Sequence, residues 1–183
     1  RLLGSKLMAK TFCICCSAPY VWGTVKLGKP GKHMSGESDL IKLYSQRILA
    51  LAADIPLTDR LENPQATVRK RAPLCGSTVT VDLDIEDGRI ARFGQDVKAC
   101  ALGQASAALM AAHILGRTRA EVEQGRDQLR AMLKDGAPPP QAPFTGYEVL
   151  EPARDYKNRH ASIMLAFEAT AQAMGEAEAA ACA

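Results

Sequence analysis

The sequence predicts an α+β domain: an N-terminal helix, a small three-stranded antiparallel sheet, then three to four helices packed on one face. Two observations carry that prediction. From Thr78 to Ile85, Val79, Val81, Leu83 and Ile85 alternate with Thr78, Thr80, Asp82 and Asp84, the period-two pattern of a half-buried strand. From Cys100 onward the period changes, and Leu102, Ala105, Leu109 and Ala112 fall three or four residues apart, as on one face of a helix. Strands grouped together and followed by helices grouped together make an α+β layer rather than a parallel α/β sheet.

The first helix is expected over Ser38 to Ala53, capped by Ser38 or Asp39 and ended by Pro56, with Leu40, Leu43, Tyr44, Ile48 and Leu51 on its apolar face. A polar connection containing Asn63-Pro64 leads to a first strand at Ala66 to Leu74. The second strand, Thr78 to Ile85, is joined to a third, Arg89 to Val97, by Asp87-Gly88, a strong signal for a two-residue hairpin turn. The next helix begins near Cys100 and is stopped by Gly116. Thr118 caps another that runs through Leu133, and Glu121 three residues later completes a capping box. Gly136 and Pro138-Pro139-Pro140 impose a loop to about Pro143, with a short helical turn expected near Tyr147 to Tyr156. Arg159 to Ala177 reads as the last helix, and the alanine-rich tail after Gly175 is expected to fray. The domain expectation is therefore a basic arm at 1–33, a folded unit at 34–177 and a tail at 178–183.

Charge and composition exclude several function classes. The net charge is +3, but residues 1–33 hold six basic side chains and no acid, so the rest of the chain is net acidic. A net-acidic domain does not offer the basic surface that phosphate contact needs, so nucleic acid is not an expected partner. No apolar run approaches the roughly 20 residues that cross a bilayer. The acid-free arm ends in the Gly/Pro-punctuated stretch Lys26 to Lys32, and three origins fit it: an organellar leader, an extension upstream of a start at Met34, or vector sequence. The six cysteines, Cys13, Cys15, Cys16, Cys75, Cys100 and Cys182, are irregularly spaced in a chain long enough to build a core without staples. A reducing compartment is expected, the cytoplasm or alternatively the mitochondrial matrix, where thiolates are free to bind metals.

Cys75 and Cys100 are equidistant from the Asp87-Gly88 turn. In a regular hairpin such residues face one another, which brings two thiols to the open mouth of the ribbon on one side, a spacing that suits two ligands of one metal ion. The register has a flaw, because Leu83 would then face Arg92, so a bulge is expected and the match can slip by a residue. The bland alternative is that both cysteines are small buried hydrophobes. Cys100 also lies where strand gives way to helix, and a helix N-terminus favours the thiolate. His160, at the start of the last helix, is a candidate third ligand if that helix packs against the ribbon. Cys182 or the Cys13-Ile14-Cys15-Cys16 run offers a further thiol.

Several segments resemble the iron–sulfur cluster assembly scaffolds of the IscU/SufU/NifU family. Pro73-Leu74-Cys75-Gly76 resembles the family's Pro-x-Cys-Gly-Asp element, and Ala99 to Ser106 is similar to its Gly-Cys-x-x-Ser-x-Ala-Ser segment. Met34 to Tyr44 looks like a family N-terminus, and Arg159 to Leu165 resembles the segment that carries the third cysteine. The resemblance covers roughly residues 38–175. It implies a scaffold or sulfur acceptor rather than an enzyme, with zinc, iron or a transient [2Fe–2S] cluster held at Cys75, Cys100, His160 and Ser77. The implied partners are a cysteine desulfurase, apo iron–sulfur proteins and a possible larger complex. The carry-over is partial. Ser77 stands at the family's aspartate position, and the third cysteine falls on Ala161 or Ser162. The Leu-Pro-Pro-Val-Lys chaperone element is missing from the corresponding loop, and the long gap after Cys100 looks more like the SufU type. Two competing readings remain: a scaffold-derived structural or accessory subunit, and a thiol enzyme with Cys100 as nucleophile.

Overall fold

Ser45 caps the first described helix, α1 (Gln46–Ala53), by accepting a hydrogen bond from the Ile48 amide, and Ile48 is its fully buried residue. The computed structural model describes residues 44–181, so the expected start of this helix at Ser38 and the cysteines of the arm and tail lie outside the described residues. After α1 come β1 (Ala66–Arg71), β2 (Thr78–Glu86) and β3 (Arg89–Lys98), then α2 (Ala101–Ala111) and α3 (Arg119–Asp135). A 3-10 segment, Thr145–Asp155, leads into the long α4 (Lys157–Ala181). The strands form one antiparallel sheet in the order β1-β2-β3, and α4 packs across β1 and β2. This is the predicted α+β architecture.

Asp87 and Gly88 both have positive φ, 50° and 72°, as the two-residue turn between β2 and β3 requires. Ile85 pairs with Ile90 next to that turn, but the register then shifts so that Asp84 pairs with Arg92 and Leu83 with Phe93. Ala91 is the extra residue of this bulge. It spares Leu83 from facing Arg92 and keeps Leu83 and Phe93 on the core side. The ladder ends at Thr78 opposite Lys98, and β1 ends at Arg71, short of the expected Leu74. Neither Cys75 nor Cys100 is therefore a strand residue.

The alternation in β2 leads to an unexpected result on the outer face. Asp82 and Asp84 occupy the positions that a half-exposed strand gives to solvent, yet both are buried. The segment 54–65 lies across them as a strap. Arg60 forms a two-pronged ion pair with Asp82, which also accepts from Thr67 Oγ1 at 2.7 Å and from the Leu61 amide at 3.2 Å. Asp84 accepts from the Gln65 amide at 2.7 Å. Gly94 makes room for this, since a Cβ there would collide with the Asp59 carbonyl.

The helical layer is held by apolar burial, each fully buried Leu, Ile, Phe or Met side chain being worth about 1.5–3 kcal/mol. Leu102, Met110, Leu129, Met132, Phe144, Ile163 and Phe167 are all within this core. The Thr118–Glu121 capping box opens α3 as expected, and Gly136, with φ 70°, closes it. The final helix runs past its expected end at Ala177, where the tail was expected to fray, to Ala181. Arg119 explains the continuation, because its guanidinium lies over Gly175 and donates to Glu178 at 3.0 Å, while Ala177 stays buried.

Candidate functional site

Cys75 lies in the connection from β1 to β2, a tight turn closed by the Ala72 amide donating to the Ser77 carbonyl and the Gly76 amide donating to the Ala72 carbonyl. Gly76 has φ 70°, a left-handed conformation that glycine adopts without strain. Cys100 is the N-cap residue of α2, and its side chain makes no capping hydrogen bond, so the sulfur is left to face the site. Both thiols are free and half-buried.

The two cysteines are joined through two buried hydroxyls. Cys75 Sγ lies 3.1 Å from Ser77 Oγ, Ser162 Oγ donates to Ser77 Oγ at 3.1 Å, and Cys100 Sγ lies 3.4 Å from Ser162 Oγ. Three elements thus meet at one end of the sheet: the β1–β2 turn, the start of α2 and the first turns of α4. Gly103 sets the approach of the two helices, since a Cβ on it would lie only 2.5 Å from Ser162 Oγ. One turn on, Ser106 Oγ donates to the Ile163 carbonyl at 2.6 Å and Tyr147 Oη donates to the Ser106 carbonyl at 2.6 Å, which pins α2 to α4 and to the 3-10 segment.

The surroundings of Cys75 are polar and cationic. Burial pushes its thiol up, but the Ser77 hydroxyl and amide, the Ser162 hydroxyl and the Arg159 guanidinium outweigh that and hold it below the ordinary thiol value. Arg159 was not among the expected site residues. Its position three residues before Ser162 was the available signal, because residues three apart share a helix face.

The expected residues divide into two groups. Cys75, Ser77 and Cys100 come together, and of the two residues left open for the third-cysteine position it is Ser162 that joins them. His160 does not join them. Its Nε2 lies 3.1 Å from the Ala153 carbonyl and 3.0 Å from the Arg154 carbonyl, so it is an N–H donor committed to the 3-10 segment. Two residues along a helix turn a side chain through roughly 200°, so His160 and Ser162 cannot face the same way. Among the described residues, no three His, Cys, Asp or Glu side chains are grouped to hold a metal ion. The two thiols also converge differently from the expectation. The bulge at Ala91 breaks the equal spacing about the hairpin turn, and the turn and the helix start bring the cysteines together in place of facing ladder positions.

Comparison with solved structures identifies the family. The chain is 41% identical to the N-terminal part of a nitrogen-fixing NifU-like protein from Brucella abortus, with a TM-score of 0.75, covering 77% of this chain and 98% of that one. The chain belongs to the IscU/SufU/NifU family. Two further structures share the fold of the family member described here. A proposed iron–sulfur cluster assembly scaffold protein for the SUF system from Fervidobacterium islandicum AW-1 is 20% identical, with a TM-score of 0.65 over 73% of this chain and 98% of its own. A hypothetical protein is 18% identical, with a TM-score of 0.66 over 74% of this chain and 98% of its own. No protein-family model matches the chain, and no curated protein does. Among the described residues, no helix of this IscU/SufU/NifU member is long and apolar enough to cross a membrane.

Proposed function

We propose that this protein acts in iron–sulfur cluster assembly as a divergent, scaffold-type sulfur acceptor, with Cys75 and Cys100 as its working residues. Membership of the IscU/SufU/NifU family supports the process. The observation that carries the site is the joining of both thiols through Ser77 and Ser162 into one cluster of side chains, drawn from three separate elements.

The chemistry follows from the chain's own groups. A site thiolate attacks the outer sulfur of a persulfide on a cysteine desulfurase. The donor's S–S bond breaks, the donor leaves as a thiolate, and a new S–S bond holds the sulfur on this chain. Cys75 is the residue placed for that encounter. It sits on a turn beside Leu74, whose side chain is exposed, and Arg159 balances the negative charge of the bound persulfide. The Ser77 and Ser162 hydroxyls supply hydrogen bonds to it. The sulfur then passes to apo iron–sulfur proteins in the cytoplasm. The chain acts as a carrier rather than as an enzyme. Zinc, iron or a [2Fe–2S] cluster as cargo in the family manner would need donors in addition to these two thiols.

A second reading has a specific observation in its favour. Hydroxyls at both Ser77 and Ser162 suit a structural or accessory module that has given up cluster work. Incubating the protein with a cysteine desulfurase and cysteine separates the two. Mass spectrometry should find persulfide on Cys75, and a Cys75→Ser variant should accept much less. Absence of persulfide from both Cys75 and Cys100 would refute the sulfur-acceptor reading and leave the structural module.

A further inference from the structure

Taking the Cys75–Cys100 site as the working site proposed above, we infer that its cargo is sulfur held covalently, not a metal ion or cluster, and that Ser77 and Ser162 are the residues that decide this. A structural zinc ion takes four donors, and a [2Fe–2S] centre is held by four protein ligands. Four side chains do converge here, but only two are thiols. The other two are neutral hydroxyls, Ser77 at 4% and Ser162 at 1% exposure, hydrogen-bonded to each other and to the sulfurs. They bring no anionic charge to offset a dication.

Among the described residues, nothing nearby replaces them. His160 is committed to two backbone carbonyls, and no grouping of three His, Cys, Asp or Glu side chains exists among the described residues. The charge that acts on Cys75 is that of the Arg159 cation, which helps to hold its thiol below the ordinary value, opposes a metal ion and favours an anionic sulfur species. A persulfide makes the opposite demand. It needs one thiol to carry it and hydrogen-bond donors around its outer sulfur, and two buried hydroxyls beside an arginine meet that demand.

The geometry also states what would reverse the preference. Ser77→Asp adds a carboxylate and Ser162→Cys adds a third thiolate at positions that already converge. Zinc content should be measured on the full chain purified with added zinc, together with visible absorption after reconstitution with iron and sulfide. The wild type is expected to hold no stoichiometric metal while still accepting persulfide from a cysteine desulfurase. The Ser77→Asp/Ser162→Cys double variant is expected to hold one zinc per chain. The Ser162→Cys single variant, nearly isosteric, is expected to gain zinc affinity even if the double variant folds poorly.

Stoichiometric metal on the wild type, whether one per chain or one shared by two chains, overturns the inference but leaves the site in service. Failure of a folded Ser162→Cys variant to gain any zinc affinity overturns the role given to the serines. A wild type that takes neither sulfur nor metal refutes the functional reading itself, an outcome distinct from both.

Discussion

Ser162 and His160 are two residues apart on α4, and that offset separates a site residue from a supporting one. His160 is the residue whose chemistry suggests a ligand, yet it faces the 3-10 segment, while Ser162 and Arg159 share the face turned to the thiols. Gly103 is the complementary residue on α2. With only 2.5 Å between Ser162 Oγ and the position of a Cβ, Gly103→Ala must push α2 away from α4 at the site. The expected cost is about 1–3 kcal/mol, the usual range for overpacking a tight contact. Urea denaturation checks the stability. The rate at which Cys100 reacts with a thiol reagent checks the opening, and it should rise. An unchanged stability and an unchanged rate would show that the two helices have slack where the structure gives none. The family-like segments around Cys75 and Cys100 made both cysteines legible from the sequence. The choice between Ala161 and Ser162 was not legible, because it depends on how α4 is rotated about its axis.

The sheet and its strap act as a unit, held by a charge that the alternation pattern assigned to solvent. Burial pushes the Asp82 carboxyl up, but Arg60, Thr67 and the Leu61 amide outweigh it and hold the group below the ordinary carboxylate value. A carboxyl depressed in the folded state adds stability that is fully present above its unfolded pKa. That stability is lost as pH falls through the folded value. Asp82→Asn should therefore lower stability by about 2 kcal/mol near neutral pH, the scale of hydrogen bonds to a charged group. The gap between variant and wild type should close in acid. Thermal melts of both proteins from neutral to strongly acidic pH test this, and a gap that stays constant would mean that the carboxylate's charge is not what holds the strap. The strap itself was readable only as a polar connection. Its contacts are long-range in sequence, and periodicity within a strand cannot say what covers the strand's second face.

At the scale of the whole molecule, the buried apolar core of the described residues runs from Ile48 to Ala177. We retain as a proposal the domain expectation of a folded unit that begins near Met34. A chain shortened to begin at Met34 should melt within a few degrees of the full chain and accept persulfide equally well. A large fall in Tm would place residues 1–33 within the folding unit. By itself the sequence determined the order of helix, three strands and helices, the hairpin turn, the capping box and the two cysteines of the candidate site. Each of those is a local or periodic signal, set by backbone geometry within a few residues. Only the tertiary structure decided how the thiols are joined, that Ser162 stands beside them while His160 does not, that a strap buries Asp82, and that α4 stays ordered beyond Ala177 to Ala181. These depend on the rotation and close approach of elements far apart in the chain. A one-residue bulge or a 200° turn of a helix changes such outcomes without leaving a mark in local composition.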